Sequence, residues 1–305
     1  MAYIIIGQRE DEHAIYMLEK MNGMGLSTYL LETYDFPRKI QFSFSPNNGS
    51  GALKLQCGTT LELDSIKAVY WRNFTGVTDE VTRESLASGD YLAARDSMAC
   101  LRTWFHLNNT TKWLNSWDAF EDHQEKPHQL MKVSRKGVRI PETYVGNNLN
   151  DIKSIYNSLD KSIFKPVYGG AHTEILTPAH FESERVEKAL SKSPITVQQF
   201  IEGTNVRTYV IGENIYSIEL KSELADFRED LNLELIEIET PIHIVEQSKL
   251  IMDILFLKWT AIDWRRDKDG NYFFLEANPS PMFIDIEKHS SFTISDDLIE
   301  LMTKN

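Results

Sequence analysis

The chain is poor in cysteine, in basic residues and in long apolar runs. Cys57 and Cys100 are its 2 cysteines. Their separation makes no metal knuckle, and a chain of 305 residues needs no disulfide framework. We therefore expect a reduced, cytoplasmic protein. The opening, Met1-Ala-Tyr-Ile-Ile-Ile-Gly-Gln-Arg9, has no basic segment, and its apolar run is too short for a signal peptide. No run approaches the ~20 apolar residues of a membrane span. Lys and Arg number 32 against 45 Asp and Glu, a formal net charge of −13. That balance argues against nucleic-acid and anionic-membrane partners. What remains is ordinary globular material, 42% apolar and 25% charged, enough for two or three packed lobes.

Local patterning alternates. Residues 3–6, 27–31 and 67–71 read as strands, and residues 10–24 have helical spacing of apolar side chains ended by Gly23 and Gly25. This predicts an α/β lobe with a parallel core. A helix region at 117–136 must start or break near Pro127. Strands follow at 162–166 and 194–201, with a helical stretch at 178–191 between them. A hairpin at 204–220 turns through Gly212-Glu-Asn214, and helices follow at 242–257 and 294–302.

The most informative segment is Ala261-Ile-Asp-Trp-Arg-Arg-Asp-Lys-Asp-Gly-Asn-Tyr-Phe-Phe-Leu-Glu-Ala-Asn278. Asp269-Gly270 is a tight-turn signal between two apolar runs. With Lys268 opposite Asn271, Asp263 falls opposite Glu276 and Ala261 opposite Asn278. Alternation then puts Asp263, Glu276 and Asn278 on one face. Opposed like charges are destabilising. A divalent cation resolves the conflict, and these oxygen ligands suit Mg²⁺ with phosphate oxygens and water. An exposed acidic hairpin is the plainer alternative, and it suits Asp267 and Asp269.

Two further constellations point to phosphate. Lys165 ends a strand that runs into Pro166-Val-Tyr-Gly-Gly-Ala171, a clamp of point charge and close-approach glycines, or a plain turn. Val197-Gln-Gln-Phe-Ile-Glu-Gly-Thr-Asn-Val-Arg-Thr-Tyr209 is a strand, an acidic-glycine turn and a second strand. The backbone of a strand edge can read an adenine, with Glu202 or Asn205 on ribose hydroxyls. Arg207 sits in a half-buried strand and needs an anionic partner.

Together these residues resemble the ATP-grasp ligases, in the branch of the ribosomal-protein glutamate ligases and the microviridin-type (graspetide) peptide maturases. The resemblance is carried by Lys126, Lys165, Val197-Gln-Gln-Phe-Ile201, Asn205-Val-Arg207, Ala261-Ile-Asp263 and Phe274-Leu-Glu-Ala-Asn-Pro279. Ala68-Val-Tyr-Trp-Arg72, Trp113-Leu-Asn115 and Asp226-Phe-Arg228 resemble the peptide-maturase branch. Gln199 stands where many relatives carry glutamate, and Asn205 where a common form has aspartate.

The resemblance implies an ATP-grasp fold of α/β and α+β lobes. An N-terminal pre-ATP-grasp lobe would span 1–115, a central lobe 116–196, and a C-terminal lobe with an antiparallel sheet 197–305. It implies ATP and Mg²⁺, with Asp263, Glu276 and Asn278 on the metal, and Lys126 and Lys165 on the α/β phosphates. Gln198, Gln199, Phe200, Ile201, Glu202 and Asn205 would line the nucleotide. Arg207 would stabilise the transferring phosphoryl group. Arg228, Arg265 and Arg72 are candidate contacts for a substrate carboxylate, with a surface salt bridge as the alternative, favoured for Arg72. The implied activity joins a carboxylate, activated as an acyl phosphate, to an amine or hydroxyl on a peptide. The alternatives are ligation of a small amino acid or amino-acid polymer, and a regulatory nucleotide-binding protein. A homodimer also follows from the resemblance. The scattered histidines, His123 among them, show no paired ligand spacing and are read as structural or surface residues rather than zinc ligands, and Trp104, Trp113 and Trp117 as packing.

Overall fold

A computed structural model describes residues 1–74, 76–77, 89–107, 111–168, 173–181, 184–222 and 233–304. The chain divides into two compact units, Met1–Trp117 with Met282–Asn305, and Asp118–Pro281.

In the first unit the apolar run near the start forms β1 (Ala2–Ile6), buried at every residue. Burial on both faces is the signature of a central parallel strand. Asp11 caps α1 (Glu12–Gly23), its carboxylate accepting from the His13 and Ala14 N–H groups. The helix buries Ala14, Met17 and Met21, at the spacing that lines one helical face. Next come β2 (Thr28–Leu31), β3 (Gln41–Phe44), β4 (Gly51–Lys54), β5 (Thr60–Glu62), β6 (Ile66–Trp71), α2 (Gly89–His106) and β7 (Lys112–Leu114). Strand order β2-β1-β6-β7, parallel throughout, is the expected α/β lobe. The antiparallel meander β3-β4-β5 is an addition that local patterning did not reveal.

Trp71 contacts Phe105, Trp113 and Trp117 edge-on or tilted, with Phe105 nearest at 4.9 Å between centroids. Trp104, Trp113 and Trp117 are buried in this cluster, so they pack a core. The helices Ile284–Lys288 and Ile294–Thr303 return to this unit. Buried His13 receives the Phe283 N–H on Nε2 at 2.9 Å, and Lys67 Nζ reaches the Thr303 carbonyl at 2.9 Å.

The second unit opens with α3 (Trp117–Gln124) and α4 (Lys126–Ser134). Pro127 sits in the first turn of α4, where its missing N–H has no intrahelical partner to lose. Then come β8 (Thr143–Gly146), α5 (Leu149–Ser158), β9 (Ser162–Pro166), β10 (Glu174–Ile175), α6 (Glu184–Leu190) and β11 (Ile195–Gln199). Strand order β10-β9-β11-β8 makes an antiparallel sheet. One face, with Tyr144, Phe164 and Val197, packs on Ile152, Ile155 and Leu190. Alternation turns Thr143, Ile163, Lys165, Thr196 and Gln198 to the other face.

A second antiparallel sheet, ordered β14-β13-β12-β15-β16, holds β12 (Gly203–Ile211), β13 (Asn214–Lys221), β14 (Glu234–Ile238), β15 (Trp259–Asp267) and β16 (Tyr272–Asn278). Helix α7 (Ile242–Ile254) precedes β15. The expected hairpin is present, with Ile211 paired to Asn214 and Gly212 at φ +58. Gly203, at φ +151, lets β12 begin against β15, since an added Cβ would sit 1.9 Å from the Arg266 carbonyl oxygen. Val206, Val210, Ile262, Trp264 and Phe274 join Leu130 and Val133 of α4 and Ile244 and Ile251 of α7 in the core. The opposite face carries Asn205, Arg207, Asp263 and Arg265.

Candidate functional site

The two sheets of the second unit enclose a cavity lined by Lys126, Lys165, Gln198, Gln199, Phe200, Ile201, Asn205, Arg207, Asp263, Arg265 and Glu276. Its carboxylates depend on the β15–β16 register. Asp263 pairs with Glu276 and Ala261 with Asn278, as expected. The route to that register differs from the expected one. The loop holds three residues, with the Asp267 N–H on the Asn271 carbonyl and Gly270 at φ +81, so Lys268 does not oppose Asn271. Asp267 stabilises this longer turn by accepting from the N–H groups of Asp269 and Asn271. A bulge then offsets the extra residue. Trp264 pairs with Phe274 and Asp263 with Glu276, leaving Leu275 as the additional residue of β16. The two shifts cancel.

The pairings continue across the sheet, because Arg207 of β12 is opposite Asp263. Its fork donates Nε to Oδ1 at 2.7 Å and Nη2 to Oδ2 at 2.9 Å. Lys126, from the first turn of α4, pairs with Glu276 at the other end. The row Arg207, Asp263, Glu276, Lys126 thus alternates cation, two anions, cation. Burial opposes the charge on Arg207, but Asp263 more than offsets it and raises its pKa above the ordinary arginine value. Burial also pushes the Glu276 carboxyl up. Lys126 outweighs that, with His123 and Lys165 in the same sense, and holds it below the usual range. Both groups are ionised at neutral pH.

The facing sheet supplies Lys165, whose Nζ donates to Gln198 Oε1 at 3.1 Å. Buried Gln198 in turn donates Nε2 to Thr143 Oγ1 at 2.8 Å. At the hinge between the sheets, the Gln199 N–H bonds the Glu142 carbonyl, and the Phe200 N–H bonds that of Lys161. Arg265 donates Nε to the Ile201 carbonyl at 2.8 Å and lies over the Phe200 ring, where burial lowers its pKa. Asn205 is buried on the cavity wall. Glu202 points outward to Lys268 at 2.9 Å. Asn278 follows Glu276 on β16, but its Oδ1 caps the Ser280 N–H and it is set back from the lining. Arg72 belongs to the first unit, where it pairs with Asp11, and this pair is buried rather than at the surface. Arg228, the Asp226-Phe-Arg228 motif and Gly169-Gly-Ala171 lie outside the described residues.

Sequence reasoning missed His123. It is held near Glu276, Lys126 and Asp263, its Nε2 is buried with no hydrogen-bond partner among the described residues, and burial lowers its pKa. Its position three residues before Lys126 was the available signal. Thr143 and Tyr209 were also missed. Tyr209 is buried beside Arg207, and burial raises its phenol pKa.

The donors fit a hard divalent cation: two opposed carboxylates and a following amide, all oxygen. Among the described residues no cluster of three or more His, Cys, Asp or Glu forms a metal site. Such an ion would therefore need other oxygen donors besides the two carboxylates.

The second unit thus presents a sheet-bounded cavity with lysines from both walls and an arginine–carboxylate row. The RimK-like ATP-grasp domain matches residues 122–302, more than half of the chain, and the chain belongs to that family. It is 26% identical over 192 residues to the probable alpha-L-glutamate ligase 1 of Shewanella baltica, covering 59% of this chain and 64% of that protein. The match thus spans less than two thirds of that relative's length. Among solved structures, the ATP-grasp ligase PsnB complexed with a phosphomimetic variant of its minimal precursor, Mg and ADP superposes with a TM-score of 0.83. It is 24% identical, over 98% of this chain and 97% of that one. The macrocyclase MdnC of Microcystis aeruginosa, bound with precursor peptide MdnA, gives 0.84 at 21% identity over 100% of both chains. These similarities establish the ATP-grasp fold. Among the described residues no helix is long and apolar enough to cross a membrane.

Proposed function

We propose that this chain is an ATP-dependent ligase that activates a carboxylate as an acyl phosphate and joins it to an amine or hydroxyl on a ribosomal peptide. The observation that carries the reading is the row Arg207, Asp263, Glu276, Lys126 facing Lys165 across one cavity. Phosphoryl transfer demands positioning and charge neutralisation more than a protein nucleophile, and this row supplies both.

In this reading Lys126 and Lys165 bind the α and β phosphates as point charges from opposite walls. The hinge 198–201 and Asn205 orient the adenosine. Arg207, kept cationic and aimed by Asp263, stabilises the charge of the transferring phosphoryl group and then the oxyanion formed on attack. Asp263, Glu276 and Asn278 would hold Mg²⁺, which when bound neutralises phosphate charge. The cavity-facing residues Ile163, Leu275 and Phe200 limit water around the mixed anhydride. Arg228 and Arg265 are proposed contacts to the substrate carboxylate. The pair with Asp11 favours a structural role for Arg72.

PsnB and MdnC were both solved with precursor peptides, which supports a peptide substrate for a chain of matching length and fold. The relationship to a probable alpha-L-glutamate ligase supports a second reading, addition of an amino acid. A cytoplasmic location belongs to the proposal, supported by two free cysteines. The test is ADP release with Mg-ATP against free amino acids and the short peptides encoded beside the gene, with mass spectrometry of products. Loss of water from a peptide establishes internal cross-linking. Gain of an amino acid less water establishes ligation of a separate molecule. ATP binding without turnover on any acceptor overturns both in favour of a regulatory protein.

A further inference from the structure

Gln129 is a polar side chain buried in an apolar core, 2% exposed. Both polar atoms of its amide engage one residue, Ala277. Nε2 donates to the Ala277 carbonyl at 3.0 Å, and Oε1 accepts the Ala277 N–H at 2.9 Å. Ala277 lies between Glu276 and Asn278 on β16, which ends the sheet order and pairs with β15. The outer edge of that strand would otherwise leave a buried N–H and C=O unpaired. Gln129 therefore acts as a short piece of neighbouring strand.

The position of this clamp matters because β16 is bulged. Leu275 and Glu276 are both half-buried, and both line the cavity. A bulge disrupts the ladder locally. A one-residue slip would bring Leu275 opposite Asp263 and turn Glu276 away. The bidentate bond falls on the residue just past the bulge, where it selects between the two registers. On the same face of α4, one turn earlier, Lys126 pairs with Glu276, while Leu130 and Val133 anchor the helix in the core. One helix thus fixes both the backbone and the charge of the segment. The Thr260 hydroxyl secures its far end through the Asn278 carbonyl at 2.8 Å.

We propose that Gln129 is a positioning residue that locks the register of Glu276-Ala-Asn278 and thereby sets the affinity of the site for a divalent cation. The proposal rests on the metal reading of Asp263 and Glu276. Its test uses Mn²⁺ as the probe, titrated into the full-length protein with ADP present and followed by electron paramagnetic resonance. ADP binding without metal and hydrogen exchange across residues 272–280 are measured alongside. Gln129→Met, which keeps length and removes both bonds, is expected to weaken Mn²⁺ binding about tenfold or more, the cost of losing a partner that orients a metal ligand. Metal-free ADP affinity stays unchanged, and exchange rises in 272–280 but not in the β12–β13 hairpin.

Gln129→Glu keeps the acceptor for the Ala277 N–H and should fall between wild type and Gln129→Met. It also serves if the methionine variant does not fold. Val133→Ala, which destabilises the same helix from the core side away from the cavity lining and without touching the clamp, should leave Mn²⁺ affinity unchanged. If Glu276→Gln loses Mn²⁺ while the Gln129 variants bind it like wild type, the metal site stands and the register role is wrong. If Glu276→Gln binds Mn²⁺ normally, the metal reading falls, and the proposal with it. Equal losses in Gln129→Met and Val133→Ala would reduce Gln129 to general packing.

Discussion

Arg72–Asp11 and Arg207–Asp263 are both arginine–aspartate pairs in largely buried surroundings, one in each unit, and they are built to different ends. Asp11 is fully spent. Oδ1 accepts from Arg72 Nε and from the N–H groups of His13 and Ala14, and Oδ2 accepts from Asn73. The pair joins the end of β6 to the start of α1. Asp263 instead receives both arms of one guanidinium, opposes a second carboxylate, and looks into a cavity. The same two residue types thus act as a structural bolt where donors surround the carboxylate and, in the proposed reading, as part of a reactive centre where a cavity adjoins it. Burial of a charge is weak evidence of function, and the surroundings decide.

The sharpest break between the two pairs is expected from Glu276→Gln, beside the second pair. It should abolish Mg-ATP turnover, measured as ADP release, and leave the circular dichroism spectrum intact. Near-normal ADP release would remove Glu276 from the chemistry. Asp11→Ala should do the converse. Removing one partner of a buried pair costs ~3–5 kcal/mol, so we expect a loss in that range by denaturant unfolding, with ATP affinity unchanged in the folded protein. Unaltered stability with lost turnover would instead place Arg72 in the reaction.

Arg207→Ala should keep ATP affinity within about tenfold while lowering the rate by ~10² or more. A collapse of affinity at constant rate would make Arg207 a ground-state ligand. The smallest effect expected is acid sensitivity of the first unit. His13 accepts the Phe283 N–H on a neutral ring nitrogen, and burial lowers its pKa. The unfolded chain takes the proton first, so this stability is complete above the ordinary histidine value of about 6.5 and declines as pH falls below it. His13→Gln should flatten unfolding free energy against pH between about 5 and 7. An unchanged slope would assign the acid sensitivity to other groups.

Much of this site is legible in the sequence. Asp263, Glu276, Arg207 and Lys165 follow from residue type and strand pattern, because charged residues at apolar strands need partners, whereas Lys126 follows from the family resemblance alone. The parallel lobe was legible too, since buried parallel strands read as continuous apolar runs. Even so, the pairing of Asp263 with Glu276 was reached from a two-residue turn, where the chain uses three and a bulge. Strand alternation has period two, so two opposite one-residue shifts restore the same face.

The sequence by itself determined which side chains carry charge into strands and the face each strand residue occupies, for both follow from local covalent geometry. Only the tertiary structure decided that residues 282–305 return to the first unit, that buried Arg72 is held by Asp11, and that His123 stands beside Glu276. It alone disclosed that Gln129 grips Ala277. Each of these joins residues distant in the chain or set by a loop, where no local period specifies a partner and only the packed core selects one.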